Sequence, residues 1–164
     1  MRVSINVWAE IYGDQIIGPF LFEENLNGNR YLEFLNNEFQ EYLSNIPLDR
    51  LRRIWFQQDG APPHNTRAVK EFLNQEFPQR WIGNGGFIAW PARSHDLSPL
   101  DFYLRGALKN LIYKSEINSL EDLKIRIRNA FRIISSRSVQ RTVNKISTNI
   151  DKCILVNGNL FEHL

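Results

Sequence analysis

Two aspartates stand where the local pattern could place a carboxylate for chemistry. The first is Asp59, in Trp55-Phe56-Gln57-Gln58-Asp59-Gly60-Ala61-Pro62-Pro63-His64. A short, bulky, β-prone run (Ile54-Trp55-Phe56) ends there, and Gly60 with two prolines turns the chain away. The carboxyl ends of strands are where open α/β sheets bind ligands. A divalent cation such as magnesium needs hard oxygen donors held on a rigid edge, which this position supplies. Turn chemistry alone also accounts for an Asp-Gly pair. The second is Asp101, in Trp90-Pro91-Ala92-Arg93-Ser94-His95-Asp96-Leu97-Ser98-Pro99-Leu100-Asp101-Phe102-Tyr103-Leu104. Ser98 reads as an N-cap, Pro99 as the first helical residue and Asp101 as the third. That helix start explains Asp101 without catalysis, but not the long polar loop before it. Ser94-His95-Asp96 is no triad, because adjacent residues cannot converge in the relay.

The elements that would position these groups follow from periodicity. Val3, Ile5, Val7 and Ala9 alternate, Tyr12-Gly13-Asp14-Gln15 turns, and a second apolar run covers residues 16–22. Gly18-Pro19 within it indicates an edge strand or a bulge. Tyr31, Leu32, Phe34, Leu35, Phe39, Tyr42 and Leu43 share a helix face, closed by Pro47. A second helix fits residues 66–77, with Val69, Phe72 and Leu73 inward. A flexible loop is expected at residues 83–86 and a short strand at 87–90, ended by Pro91. Ser119 followed by Asp122 predicts a capped helix start, with Leu120, Leu123, Ile127, Phe131 and Ile134 as its apolar stripe. A last helix carries Val139, Val143, Ile146 and Ile150 and stops at Asn157-Gly158. A strand pair followed by alternating helices and strands indicates a mixed α/β sheet.

Composition narrows the class. The 164 residues are one domain's worth, 43% hydrophobic and 23% charged, as expected of a globular chain. No apolar run is long enough to cross a bilayer, and the start does not read as a secretory signal. The single Cys153 cannot form an internal disulfide, which fits a reducing compartment, and one Cys with three scattered His offers no zinc-ligand spacing. The net charge of +2 divides unevenly: residues 1–101 carry −4 and residues 102–153 carry +7. Lys124, Arg128 and Arg132 recur every four residues, and Arg137, Arg141 and Lys145 repeat the spacing, so each trio shares a helix face. An outward basic face suits nucleic-acid phosphates, although an ordinary solvated surface has the same pattern.

The two aspartate motifs, taken in order, resemble the mariner-like transposases common in insect genomes. Residues 7–22, Asn27-Gly28-Asn29-Arg30-Tyr31-Leu32 and residues 84–91 resemble the same proteins, so the similarity runs from about Val3 to about Tyr113 and more weakly through residues 120–134. The resemblance implies a ribonuclease H-like fold, a mixed sheet flanked by helices, with residues 1–113 as a partial catalytic core and 114–164 as a helical C-terminal extension of the same domain. It implies Mg²⁺- or Mn²⁺-dependent DNA cutting and joining, with three carboxylates holding two ions. Asp59 matches the second carboxylate and Asp101 the third, with 41 residues between them, and both should lie at one edge of the sheet. DNA is the implied partner and the nucleus the implied location, with no membrane association.

The chain departs from that pattern. No residue matches the first carboxylate, expected on a central strand just before Met1, and the helix-turn-helix DNA-binding domain is not found. His95 stands where the family usually has proline, Arg105 where it has tryptophan and Glu10 where it has glycine. The expectation is a truncated, inactive catalytic domain whose unpaired strand edges are candidate homodimer contacts. The alternatives are a non-catalytic nucleic-acid-binding module and an inert pseudogene fragment.

Overall fold

Apolar alternation and a two-residue turn produce the first element pair. In the computed structural model, which describes residues 4–90 and 95–158, β1 (Asn6–Tyr12) and β2 (Gln15–Phe22) pair antiparallel through Gly13-Asp14. The register shifts between Trp8 and Glu10, which is the bulge that Gly18-Pro19 suggests. Gly18 has φ +103°, and a Cβ there would lie 3.0 Å from the Trp8 carbonyl oxygen, so only glycine fits.

The described residues of Met1–Glu24 and Ser94–Leu164 form one compact unit. Its core is Leu104, Ile112, Leu123, Ile127, Ala130 and Phe131, with Ile5, Ala9, Ile16 and Leu21 of the hairpin segment packed against it. Ile112 comes from α5 (Arg105–Ile112) and the last four from α6 (Leu120–Ile133), which α7 (Ser136–Leu155) follows. Both α6 and α7 contact β2. This unit joins the hairpin to the C-terminal helices.

Capping defines the helix ends. Ser119 Oγ accepts the Asp122 N–H (3.1 Å), and Asp122 Oδ2 accepts the Asn118 N–H (3.0 Å), a capping box shifted back by one residue. Ser135 caps α7, and its far end closes with Gly158 N–H donating to Cys153 O at 2.8 Å, as Asn157-Gly158 predicts. Arg126 clamps the end of α5: Nη1 donates to Ile112 O (3.3 Å), Ser115 O (2.9 Å) and Ser115 Oγ (2.9 Å), Nη2 to Glu116 O (2.8 Å), and Nε to Asp122 Oδ1 (2.8 Å). Leu120 and Ile150 stand exposed, so the α6 stripe is buried from Leu123 to Phe131 and the α7 stripe is buried at its start, at Val139.

Asn25–Arg93 form the second unit. A helical run begins as α1 (Gly28–Phe34), passes through a π-helical turn (Leu35–Phe39) and continues as α2 (Gln40–Ser44). It buries Tyr31, Phe34, Leu35, Phe39 and Leu43. Tyr42, expected on that face, is exposed, because the wider π turn changes the angular spacing between the two ends. A short α3 (Leu48–Leu51) leads to β3 (Phe56–Gln57). Then α4 (Arg67–Glu76) crosses to β4 (Trp81–Ile82), which pairs parallel with β3. Phe39, Phe56 and Phe77 pack ring on ring, with Phe56 and Phe77 stacked at 5.3 Å.

Three expectations are corrected here. Residues 87–90 form no strand; Ile88 makes only an isolated bridge to Ile82, and the strand is β4. The loop at 83–86 is a closed turn, with Gly86 N–H donating to Gly83 O (3.1 Å) and Gly83 N–H to Ile88 O (3.0 Å). Trp55 in the first strand run is half exposed against Phe87, so only Phe56 is buried there. Val3, Pro91 and the Ala92-Arg93-Ser94 part of the second motif lie outside the described residues.

Candidate active site

Asp59 emerges from β3 as expected. Gln58 N–H still bonds Ile82 O at 3.0 Å, and the chain then turns. Asp59 Oδ1 accepts the Ala61 N–H at 3.0 Å, an Asx turn, so the carboxylate does the local turn chemistry as well as standing at the strand end. The same oxygen lies 2.5 Å from His64 Nδ1. Pro62-Pro63 set a 3₁₀ turn (Pro62–Asn65) that brings His64 back over Asp59. The Asp59 side chain is 63% exposed and that of His64 16%.

His64 is itself fixed. Its ring packs on Tyr31 at 4.3 Å between centroids. Tyr31 Oη donates to Gln58 Oε1 (3.3 Å), and Gln58 Nε2 donates to the His64 carbonyl (3.2 Å). Tyr31 and Gln58 are buried. Gly83 packs behind this strand end: a Cβ there would lie 3.1 Å from Gln58 O and 2.9 Å from the Trp81 ring.

Asp101 sits in a π-helical turn (Leu100–Leu104) whose first hydrogen bonds, from Asp101 and Phe102 N–H, go to Ser98 O. Ser98 thus starts the helix through its carbonyl, and Asp101 lies one turn in, as read from Ser-Pro-Leu-Asp. Its side chain is 24% exposed, with His95 Nδ1 3.5 Å from Oδ2 and Arg105 Nη1 3.7 Å from Oδ1. Two positions that depart from the mariner-like pattern, His95 and Arg105, therefore flank this carboxylate.

Asp59 and Asp101 are hard oxygen donors of the kind Mg²⁺ and Mn²⁺ take. Among the described residues, no group of three His, Cys, Asp or Glu side chains is placed to hold a metal ion. Taken singly, each aspartate fits such an ion by the chemistry of its donor atoms.

The basic face is real but smaller than the spacing implies. Arg128, Arg132, Arg137, Arg141 and Lys145 are exposed. Lys124 is not: its side chain is 12% exposed, and Nζ pairs with Glu23 Oε1 at 2.5 Å and Glu121 Oε2 at 3.9 Å. Hydrogen bonding to Lys124, with the charges of Lys124 and Arg128, holds the Glu23 carboxyl below its ordinary range. Arg126, which the four-residue spacing passes over, is spent on α5. The roles of His64, Tyr31 and Gln58 were also missed. The readable signal was Asp-x-x-Pro-Pro-His, since paired prolines fix the return of a histidine five residues on.

Comparison places this arrangement in a class. No protein-family model matches the chain. A solved structure of the Mos1 transposase catalytic domain with raltegravir and Mg superimposes with a TM-score of 0.81 at 23% identity, over 96% of this chain and 77% of that one. A second, with Mn, gives 0.77 at 22% identity, over 96% and 83%. A pre-cleavage Mos1 transpososome gives 0.77 at 25% identity, over 91% and 43%. The fold is therefore ribonuclease H-like, the fold of the Mos1 catalytic domain.

Sequence relatives narrow it further. The chain is 25% identical over 140 residues to the mariner Mos1 transposase of Drosophila mauritiana, covering 85% of this chain and 36% of that protein. It is 23% identical over 158 residues to the Tc3 transposase of Caenorhabditis elegans, covering 95% and 45%. Its homologues and structural neighbours are mariner and Tc3 transposases, matched along most of its length. The chain spans less than half the length of these curated relatives.

Proposed function

We propose that this chain is part of a catalytic domain for the metal-dependent cleavage and joining of DNA in transposition, with Asp59 and Asp101 as two of the carboxylates that would hold Mg²⁺ or Mn²⁺. The observation that carries the reading is Asp59: an exposed carboxylate at the C-terminal end of a parallel β3–α4–β4 unit, oriented by a packed histidine, in a fold shared with transposase catalytic domains. Divalent ions in such sites stabilise the attacking and leaving oxygens of a phosphodiester. The chain's own part is to present the oxygens. The Ala61 N–H and His64 hold the Asp59 carboxylate in one orientation, while Ser98, through the start of the helix, sets Asp101. Arg105 beside Asp101 opposes a cation there, so metal affinity should be modest. Arg128, Arg132, Arg137, Arg141 and Lys145 are the surface through which DNA phosphates would be held. That face also supports a second reading, a module that binds nucleic acid without cutting it. Action on chromosomal DNA would place the protein in the nucleus.

The test is Mn²⁺ binding, followed by electron paramagnetic resonance, with the wild-type chain, Asp59→Ala and Asp101→Ala. Binding that weakens in both variants supports the reading. Absence of binding in the wild type, together with DNA affinity untouched by either substitution, selects the non-catalytic module.

A further inference from the structure

We infer that His64 is a positioning residue for the Asp59 carboxylate, holding it in the orientation in which it would meet the metal ion. The inference rests on the reading of Asp59 as a metal ligand and adds a residue to it. An ionised carboxylate can only accept hydrogen bonds, so the 2.5 Å contact requires the proton on His64 Nδ1. That N–H and the Ala61 N–H both fall on Oδ1. Two donors on one oxygen lock the carboxylate plane.

The surroundings hold His64 from both sides. Tyr31 packs on the ring at 4.3 Å, and Gln58, 6% exposed, bonds the His64 carbonyl with its amide nitrogen and receives Tyr31 Oη on its oxygen. Both hydrogen-bonding atoms of a buried glutamine side chain thus serve the placement of one imidazole. Turn formation alone would not require this, because the Asx bond to Ala61 and the two Asn65 bonds to Gly60 O (2.7 Å) and Ala61 O (3.3 Å) already close the loop. Hydrogen-bond partners of metal-ligating groups set ligand orientation, and losing one costs roughly 10–100-fold in metal affinity.

The test compares Mn²⁺ affinity by electron paramagnetic resonance in the full chain, His64→Phe, His64→Asn and Asp59→Ala. Phenylalanine keeps the ring on Tyr31 and removes the donor; asparagine puts an amide nitrogen close to where Nδ1 stands. The expected result is a loss of about tenfold or more in His64→Phe, with His64→Asn near wild type. Wild-type affinity in His64→Phe, while Asp59→Ala loses binding, overturns the inference and leaves the metal-site reading standing. No Mn²⁺ binding in the wild type, or full binding in Asp59→Ala, overturns that reading and this inference with it. Should His64→Phe fail to fold, the ¹⁵N shifts of the wild-type imidazole at mildly alkaline pH decide the matter. An Nδ1–H tautomer supports the inference and an Nε2–H tautomer refutes it.

Discussion

Replacing Arg126 by alanine should be among the most damaging single changes available on α6. The guanidinium makes five hydrogen bonds of 2.8–3.3 Å, three of them to the carbonyls of Ile112, Ser115 and Glu116. Those acceptors lie at and just beyond the C-terminal end of α5, where helix carbonyls lack partners and the dipole favours a cation. A hydrogen bond to a charged group contributes about 1.5–3 kcal/mol. Five bonds through one side chain do not add, and the group is 22% exposed, so water would replace part of what is lost. A net cost of roughly 2–3 kcal/mol follows. At about 2–4 °C per kcal/mol for a chain near this size, the midpoint should drop by roughly 4–12 °C. The assay is thermal unfolding by circular dichroism of wild type, Arg126→Ala and Arg126→Lys. Lysine keeps the charge but cannot present a planar fork, so it should recover less than half of the loss. A midpoint within about 1 °C of wild type for Arg126→Ala, or full recovery by lysine, would refute the argument from fork geometry.

Three further outcomes are expected. Arg128→Glu combined with Arg141→Glu should weaken DNA binding equally on any sequence, and wild-type affinity should fall with salt at a log–log slope of about −0.9 per phosphate contacted; undetectable binding at low salt would make the face a solvated surface only. The 164-residue polypeptide, with two of the three carboxylates the resemblance calls for, should not nick supercoiled DNA in Mg²⁺ or Mn²⁺; cleavage that vanishes in Asp59→Ala would contradict this. Asp122 is held below its ordinary range, first by its hydrogen bond from Arg126 and then by the Asn118 N–H. A depressed folded-state value stabilises above the unfolded carboxylate pKa and is lost as pH falls through the folded one. The α6 start should therefore weaken below about pH 4, and Asp122→Asn should flatten that part of the acid-unfolding curve.

The hairpin, the helix over 66–77 and the two C-terminal helices were legible because each carries a strong period with turn or cap residues at its ends. Thr66, Ser119 and Ser135 cap α4, α6 and α7 through their side chains, and two of those starts were read directly. The strand Trp81-Ile82 was not legible: two residues have no period, and only pairing with Phe56 and Gln57 makes them a strand. The residues at 87–90 looked more strand-like, being bulkier and ended by proline, but they make one bridge. Asp59 stands out in the sequence because its neighbours carry a distinctive order of residues. His64 was passed over because its role depends on Tyr31 and Gln58, one of them 33 positions away. Lys124 was misplaced because spacing fixes a helix face but not what covers it; Glu23, 101 residues back in the chain, decides that.

That ion pair also says something about how the polypeptide comes off the ribosome. The unit containing β1 and β2 is split in sequence, with residues 25–93 inserted between its two parts. A hairpin can form in about 1–10 μs, yet the cluster that Ala9, Ile16 and Leu21 pack against is complete only once Leu123 and Phe131 are made. At roughly 5–20 residues per second, that wait lasts several seconds, about a million times the folding time of the hairpin itself. The inserted segment, contiguous and rich in local contacts, can be complete before the first strands find their partners. During this interval the hairpin's inner face lacks most of the cluster that covers it in the folded chain.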